Sequence, residues 1–212
     1  PNEVVDEFGA DVLRTYVLFM GDYEKAAPWS KDAVKGCKRF IDRTFNLCDI
    51  LVDGDEYSKE LESSFHKTIK KVSDDIETLK YNTAIAAMMT LLNDIYAKGS
   101  ITKAEFKTFI TLLNPFAPHV TEEMWQIAGF EGMLNETSWP EYSEDKCKDA
   151  TIEIVVQVNG KLKTKLQVSA ESIQEEVLSA AKDDDKVNAA IDGKNIVKEI
   201  YVKGKLVNIV AK

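Results

Sequence analysis

Three lysines at alternate positions, Lys161, Lys163 and Lys165, are the residues of this chain whose type and spacing point most directly to chemistry. The segment around them is strand-like, and alternate side chains of a strand project from the same face. Their ammonium groups would form a cationic row with a spacing of about 7 Å, which suits the phosphate oxygens of a nucleic acid. The alternative is a solvated outer face, in which Glu153 across a predicted hairpin balances part of the charge.

Two further pairs of basic residues could enlarge such a surface. Lys203 and Lys205 flank a second predicted turn and could extend the same patch. Arg39 and Arg43 are four residues apart, so they lie on one side of a predicted long helix. Long helices also carry such charges for solubility alone, and both interpretations stay open.

No group of residues in the sequence assembles an active site or a metal site. The two histidines, His66 and His119, lie in or at the start of predicted helices, where a packing or local polar role is the more common one. The pair Glu122-Glu123 is typical of the acidic first turn of a helix. The sequence contains no G-x-S-x-G, no H-E-x-x-H and no glycine-rich phosphate loop. We therefore predict no catalytic residues, no metal ligands and no cofactor in this chain.

The cysteines and the apolar residues indicate the compartment. Three cysteines without C-x-x-C spacing argue against a disulfide framework and against a zinc knuckle, so a reducing, cytoplasmic location is expected. No run approaches eighteen consecutive apolar residues, so no membrane partner is expected. The chain begins at Pro1 without an initiator methionine, and we expect it to be a piece of a longer protein.

The charge of the chain is unevenly distributed. The formal net charge is −9, which speaks against a general affinity for nucleic acid, DNA included. Residues 151–212, however, carry ten lysines and nine acidic residues, so residues 1–150 hold the excess of negative charge. The C-terminal third is therefore electrostatically different from the rest of the chain.

The elements that position these residues are helical over roughly the first 140 residues, where apolar side chains recur at steps of three and four. Ser30 is placed as an N-cap, and Thr102 and Glu105 form a capping-box pattern. The simplest architecture is an antiparallel bundle of four or five helices. Asn2 is expected to cap a short turn that Gly9 ends, and the predicted helices cover about 10–20, 30–52, 61–79, 102–114 and 119–128, with another from Asn82 or Thr83 to Lys98.

The polar, acidic composition of residues 135–150 predicts a linker. Beyond it, the spacing of apolar residues changes from a helical period of 3.6 residues to a strand period of 2. The order ββααββ predicts a small α+β domain over 151–212. In its first hairpin, the apolar faces of the two strands can meet only if the loop has an odd number of residues. We therefore predict a three-residue loop, Val158-Asn159-Gly160, with the three lysines facing outward.

Several motifs together identify a family. They are Gly9-Ala10-Asp11-Val12-Leu13-Arg14, Pro28-Trp29-Ser30, Arg39-Phe40-Ile41-Asp42-Arg43, Tyr81-Asn82-Thr83-Ala84-Ile85-Ala86, Leu113-Asn114-Pro115-Phe116-Ala117-Pro118-His119 and Glu122-Glu123-Met124-Trp125. In this order they resemble the segment of class I aminoacyl-tRNA synthetases that leads into the helical anticodon-binding domain, in the leucyl, valyl and isoleucyl branch. The segments Val156–Lys161 and Lys203–Val210 look like the C-terminal domain of the bacterial leucyl enzymes.

The resemblance implies a domain map and an activity for the parent enzyme. Residues 1–30 would lead out of a catalytic core that is missing here, residues 31–134 would form the anticodon-binding-type bundle, residues 135–150 the linker and residues 151–212 a tRNA-binding domain. The parent would join leucine to leucine tRNA with ATP and Mg²⁺, and this fragment alone would be inactive. Its partners would be leucine tRNA and the catalytic and editing domains of the same parent chain.

The resemblance also assigns roles to residues. Backbone phosphates of the tRNA would be contacted by Lys161, Lys163, Lys165, Lys203 and Lys205, elbow nucleotides by Leu206 and Asn208, and the tRNA stem by Arg39 and Arg43. Two alternatives stay open, namely a helical protein-interaction module without RNA binding, and the same region of a valyl- or isoleucyl-type enzyme.

Overall fold

The computed structural model describes residues 2–21, 28–148, 151–169 and 172–212. The chain divides into two units, Pro1–Cys147 and Lys148–Lys212, and each has its own hydrophobic core. Helices dominate the first unit, and the second contains a four-stranded mixed sheet. At this coarse level the predicted fold class, a helical part followed by a smaller α+β part, is confirmed.

The N-terminal unit is built from amphipathic helices that turn their apolar faces inward. Its described helices are α1 Asn2–Phe8, α2 Ala10–Phe19, α3 Lys31–Phe45, α4 Glu62–Glu77, α5 Tyr81–Lys98, α6 Lys103–Leu113 and α7 Pro118–Ile127. Phe65 and Ile69 of α4, Met88 of α5 and Phe109 of α6 are completely buried. Because buried residues recur at helical spacing on α3 to α6, these helices present apolar stripes to a shared core.

The predicted start of α6 is confirmed in atomic detail. The Thr102 hydroxyl accepts a hydrogen bond from the Glu105 N–H at 3.2 Å, and the Glu105 carboxylate accepts one from the Thr102 N–H at 2.9 Å. The Glu105 side chain is fully buried and also accepts a hydrogen bond from the Ser58 N–H at 2.7 Å. The capping box therefore also ties α6 to the loop that precedes α4.

Helix α3 begins as predicted but ends earlier. The Ser30 hydroxyl accepts a hydrogen bond from the Ala33 N–H at 3.3 Å, as an N-cap should. The helix stops at Phe45, the chain tightens into a 3-10 turn over Asn46–Ile50, and Leu51–Val52 (β1) pairs in parallel with Ile101–Thr102 (β2). The predicted extension of the helix to Val52 was wrong. The apolar spacing continues to Val52, but from Leu51 the backbone pairs with β2 instead of continuing the helix.

The range predicted as a free linker, residues 135–150, is packed against α4 over part of its length. We call residues 139–147 the strap. Its contacts with α4 are Trp139 Nε1 to Ser73 Oγ (2.8 Å), Lys70 Nζ to Glu144 Oε1 (2.9 Å), Ser143 N to His66 Nδ1 (3.1 Å) and Lys146 Nζ to Glu62 Oε1 (2.6 Å). Residues 139–147 are therefore attached to the first unit, because their polar groups find partners along one stripe of α4, and the assignment of 135–150 as the linker stays a prediction.

Over its described residues, the second unit is a sheet of four strands with two helices packed on one face. Its elements are β3 Thr151–Val158, β4 Lys161–Ser169, α8 Gln174–Asp183, α9 Asp185–Ile191, β5 Ile196–Val202 and β6 Leu206–Ala211. The strand order is β4-β3-β6-β5, with β3 and β6 parallel and the two outer pairs antiparallel.

One face of this sheet forms the core of the second unit. Alternate residues of β6, among them Val207 and Ile209, are buried together with Ile154 of β3 and Val177 of α8. The period-2 pattern predicted for these strands therefore follows from burial of a single face. The intervening residues of β6, including Asn208, belong to the opposite face.

Candidate nucleic-acid interface

The hairpin that carries the lysines has a two-residue turn. Val158 pairs directly with Lys161, so only Asn159 and Gly160 lie between the strands. Both have positive φ angles, 51° for Asn159 and 75° for Gly160. This is the type I′ geometry for which Asn-Gly is the preferred pair, because both central residues must be left-handed. The predicted three-residue loop is therefore wrong.

A β-bulge restores the apolar register that the two-residue turn alone would lose. The register shifts between Val156 and Gln157, which leaves Lys163 as the extra residue of β4. Beyond the bulge Ile154 pairs with Leu166, so the apolar residues of both strands meet on the core side. The requirement for an odd number of extra residues is met by the two turn residues and the one bulge residue together.

Because of this bulge, the three lysines do not form the predicted row. Lys161 pairs with the buried Val158, whereas Lys165 pairs with Val155, whose neighbours along β3 are buried. Lys161 and Lys165 therefore lie on opposite faces of the sheet. All three lysines are exposed, but the Lys165 ammonium is 2.8 Å from a Glu153 carboxylate oxygen. That ion pair is the neutralising contact considered as the alternative from the sequence.

Lys203 and Lys205 lie at the other end of the sheet from Lys161. Because β3 and β6 are parallel, the turn after β3 is at the end where β6 finishes, and Lys203 and Lys205 stand where β6 begins. Both are exposed, and the neighbouring Leu206 is half-buried beside Val155. The predicted single patch is thus divided between the two ends of the sheet.

Asn208, predicted to touch RNA, takes part in fixing the turn. Its Oδ1 accepts a hydrogen bond from the Gly160 N–H at 3.1 Å. The Asn159 side chain donates through Nδ2 to the Ala211 carbonyl at 2.8 Å and accepts through Oδ1 from the Ala211 N–H at 3.0 Å. The Asn159 N–H donates to the Ile209 carbonyl at 2.9 Å. These four hydrogen bonds hold the turn against β6.

The two arginines of α3 have different surroundings. The Arg43 guanidinium donates to Asn93 Oδ1 at 3.0 Å and lies 4.8 Å from the centre of the Tyr96 ring. The Tyr96 hydroxyl donates in turn to the Arg43 carbonyl at 2.7 Å. Arg43 therefore joins α3 to α5, whereas Arg39 is exposed. Both arginines belong to the first unit, whereas the five lysines belong to the second.

Neither a metal site nor a membrane span is found in the part of the chain that the structure describes. Within it, no cluster of three or more His, Cys, Asp or Glu side chains could hold a metal ion. No helix in these ranges is both long enough and apolar enough to cross a membrane. The cysteines are free, and burial raises the pKa of the Cys37 thiol to about 11, so this thiol is protonated at neutral pH.

The comparison with protein families decides the assignment. The model of the family described as the anticodon-binding domain of tRNA ligase matches residues 58–178, which is more than half of the chain. The chain belongs to this family. The match runs from the loop before α4 through the strap and the first hairpin into α8, so both units of the anticodon-binding domain chain contribute to it.

Two similar proteins point to a narrower relationship than the family model does. A protein named Leucine--tRNA ligase from Alkaliphilus oremlandii (strain OhILAs) is 52% identical over 212 residues, which cover 100% of this chain and 26% of the relative. A crystal structure of a ternary complex from Agrobacterium radiobacter K84, agnB2 LeuRS-tRNA-LeuAMS, matches with a TM-score of 0.68 and 27% identity, and covers 100% of this chain and 29% of that one. The chain thus spans about a quarter of the length of these relatives.

Several residues of the family motifs join helices of the bundle, a role that the sequence analysis did not predict. The Asp11 carboxylate accepts a hydrogen bond from the Val120 N–H at 2.7 Å and contacts His119 Nδ1 at 2.7 Å. Arg14 Nε donates to the Pro115 carbonyl at 3.1 Å. The first motif on α2 therefore holds the turn before α7. The sequence contained a signal for this role, because Asp11 is an acidic residue within a predicted helix. In the folded chain Asp11 is buried.

Glu122 has a similar structural role in this domain. Its two carboxylate oxygens accept hydrogen bonds from the Leu134 N–H at 3.0 Å and the Asn135 N–H at 2.9 Å. These two hydrogen bonds hold the segment after α7 against that helix. The prediction that Glu122 and Glu123 form an acidic first turn is wrong, because α7 begins at Pro118 and its first turn contains no acidic residue.

Proposed function

We propose that this chain is the tRNA-binding C-terminal region of a leucine–tRNA ligase, and that it positions leucine tRNA for aminoacylation by the catalytic core of the same parent chain. The observation that carries the proposal is the 52% identity to a Leucine--tRNA ligase over all 212 residues. The structural match to a LeuRS complex that contains tRNA supports tRNA as the partner.

We assign the parts of the chain as follows. Residues 1–30 lead out of the catalytic core, residues 31–134 form the anticodon-binding-type bundle, residues 135–150 join it to the second unit, and residues 151–212 form a tRNA-binding domain of ββααββ order. The strand and helix bounds of the second unit support this order. The remaining partners are the catalytic and editing domains of the parent, and the expected location is the cytoplasm.

ATP and Mg²⁺ belong to the chemistry of such a ligase. The described part of this chain offers no cluster of ligands for a metal ion, and its sequence lacks a glycine-rich phosphate loop. Neither group is therefore assigned a site here. The contribution proposed for this chain is RNA binding and positioning alone.

The phosphate contacts are assigned to the exposed lysines at the two ends of the sheet: Lys161 and Lys163 at one end, Lys203 and Lys205 at the other. An exposed ammonium without a bound carboxylate binds phosphate without first breaking an ion pair. Lys165 is a weaker candidate because Glu153 already neutralises it. Leu206 beside the second pair and the exposed Arg39 are retained as additional contacts.

Salt-dependent binding of a leucine-tRNA transcript to the 212-residue chain tests this proposal. We expect the double variant Lys161→Gln/Lys163→Gln to bind more weakly and to flatten the slope of log K against log salt by about 1.5 to 2 units, since each lost phosphate contact removes about 0.9. The control is Lys186→Gln on α9, which removes an exposed lysine that is not part of the hairpin.

Three results would contradict the proposal. Absence of tRNA binding by the wild-type chain would remove the RNA-binding function. An unchanged salt slope in the double variant, with folding intact, would remove the two lysines from the interface. Tighter binding of a valine or isoleucine transcript than of the leucine transcript would favour the other branch of the family.

A further inference from the structure

The Asn159-Gly160 turn is held more firmly than its own conformation requires. An Asn-Gly pair satisfies a type I′ turn through its backbone alone. Here the Asn159 amide also forms a reciprocal pair with the backbone of Ala211, at 2.8 and 3.0 Å. The Asn159 side chain thus pairs with both the N–H and the carbonyl of Ala211, which ends β6 and lies 52 positions away in the sequence.

A second contact fixes the other half of the turn. Asn208 Oδ1 accepts from the Gly160 N–H at 3.1 Å, so both turn residues are bound to β6. Lys161 follows Gly160 directly and pairs across the hairpin with the buried Val158. The backbone on both sides of Lys161 is therefore held, while its side chain is exposed.

We propose that Asn159 is a positioning residue for tRNA binding: its amide pair with Ala211 fixes the turn on β6 and thereby holds the Lys161 backbone where its ammonium meets a tRNA phosphate. This inference rests on the proposed function, that the chain binds tRNA. Asn208 supports the same turn through Gly160 and is assigned to positioning rather than to direct contact with elbow nucleotides.

The energetic reason is preorganisation. A lysine on a loose hairpin end must have its backbone ordered when it binds, and that ordering reduces affinity. Because the turn is already bound to β6, this part of the ordering occurs during folding instead. Loss of the Asn159 amide should therefore weaken tRNA binding about three- to ten-fold, the range expected for ordering one flexible segment.

The test variant is Asn159→Gly. Glycine adopts positive φ without strain, so the turn type is kept and only the amide pair is removed. The matched control is Asn188→Ala, which removes an exposed asparagine side chain from α9. Binding of a leucine-tRNA transcript is measured for the wild-type chain, for Asn159→Gly, for Lys161→Gln and for the combination of the two.

A positioning role is separated from a merely structural one by the coupling between the two sites. If Asn159 acts through Lys161, the Lys161→Gln substitution weakens binding markedly in the wild-type background and much less in the Asn159→Gly background. A merely structural role would lower stability but leave the effect of Lys161→Gln the same in both backgrounds. Hydrogen exchange of the Gly160 amide should be faster in Asn159→Gly.

The inference is overturned if Asn159→Gly binds tRNA like the wild-type chain, or if Lys161→Gln has the same effect in both backgrounds. Should Asn159→Gly prevent folding of the second unit, Asn159→Asp takes its place, because aspartate also tolerates a positive φ and loses only the donor to the Ala211 carbonyl. In that variant, wild-type binding with a full Lys161 effect also overturns the inference. A wild-type chain that does not bind tRNA at all refutes the proposed function, and this inference with it.

Discussion

Arg39 and Arg43 show how the neighbours of a residue decide what its charge can do. Both stand on α3, four residues apart, and the sequence alone gives no reason to assign them different roles. In the folded chain the Arg43 guanidinium is bound to Asn93 and lies on the Tyr96 ring, while Arg39 is exposed. An RNA contact by Arg43 would have to break packing within the bundle, whereas one by Arg39 would not.

The two arginines therefore provide a matched pair for a stability measurement. We expect Arg43→Ala to lower the free energy of unfolding by about 1–2 kcal/mol, because it removes a cation–π contact and a side-chain hydrogen bond. Arg39→Ala should stay within about 0.5 kcal/mol of the wild type, as exposed substitutions usually do. Urea unfolding followed by circular dichroism measures both, and equal losses would refute the distinction.

The strap is the element whose role differs most from its sequence-based interpretation. It follows polar groups of α4 that are about one turn apart, and His66 is one of the two inner members of that stripe. The His66 ring is buried, it accepts from the Ser143 N–H through Nδ1, and it lies 5.5 Å from the Tyr57 ring. Acceptance at Nδ1 requires that this nitrogen carry no proton.

Burial lowers the pKa of His66 below its ordinary value, and the nearby Lys146 lowers it further, while Glu62 acts in the opposite direction. A histidine with a depressed pKa in the folded state binds protons more readily when unfolded, so protonation favours unfolding. We expect the stability of the helical unit to be complete above about pH 6.5 and to fall as the pH drops below it.

Urea midpoints of the wild type and of His66→Gln at pH 7.5 and pH 5.5 test this. The wild type should lose more stability than the variant between the two values, since Gln carries no titrating ring. A loss of the same size in both chains would mean that other groups dominate the titration.

Local signals predicted the elements of this fold, and long-range ones did not. The Thr102–Glu105 capping box lies within four residues, and Gly99 ends α5 with a left-handed φ of 82°, so both could be predicted from neighbours in the sequence. The bulge at Lys163 results from pairing β4 with β3 around a turn that Asn159 and Gly160 prefer locally. A three-residue loop and a two-residue turn with a one-residue bulge both place an odd number of extra residues in the hairpin. The sequence alone did not distinguish between them.

The same reasoning explains which parts of the candidate interface could be predicted. The lysines were expected to be exposed because they are charged, and in the structure their side chains are exposed. Their division between the two ends and the two faces of the sheet depends on strand order, and β3 meets β6 rather than β5 because of contacts across more than forty residues. Composition likewise could not show that the polar residues of the strap pair with α4 instead of with water.

At the scale of the whole chain, the two hydrophobic cores share no residue. The first collects buried residues from α2 to Leu134, and the second from β3 to β6. The three tryptophans, Trp29, Trp125 and Trp139, all belong to the first unit. Tryptophan fluorescence therefore reports on the helical unit, while far-ultraviolet circular dichroism reports on both.

This difference allows the stability of each unit to be measured separately. We expect Phe109→Ala to lower the stability seen by fluorescence by about 3–5 kcal/mol, and Ile209→Ala to leave that transition in place while it destabilises the second unit by about 2–4 kcal/mol. Both side chains are completely buried. The controls are Val17→Ala and Leu162→Ala, whose side chains are exposed. A fluorescence transition that shifts as strongly in Ile209→Ala as in Phe109→Ala would show that the two units unfold together.

The central position of β6 in the sheet has a consequence for the order in which the chain is made. Among the four strands of the second unit, β6 leaves the ribosome last, yet it lies between β3 and β5 and is the strand that joins them. Until it emerges, the β3–β4 hairpin and β5 have no pairing with each other, and an isolated two-stranded hairpin is marginally stable at best. The helical unit, synthesised earlier, can complete its own core meanwhile. The surface that carries the lysines is therefore assembled only at the end of translation of this region, so an incomplete chain presents the bundle without it.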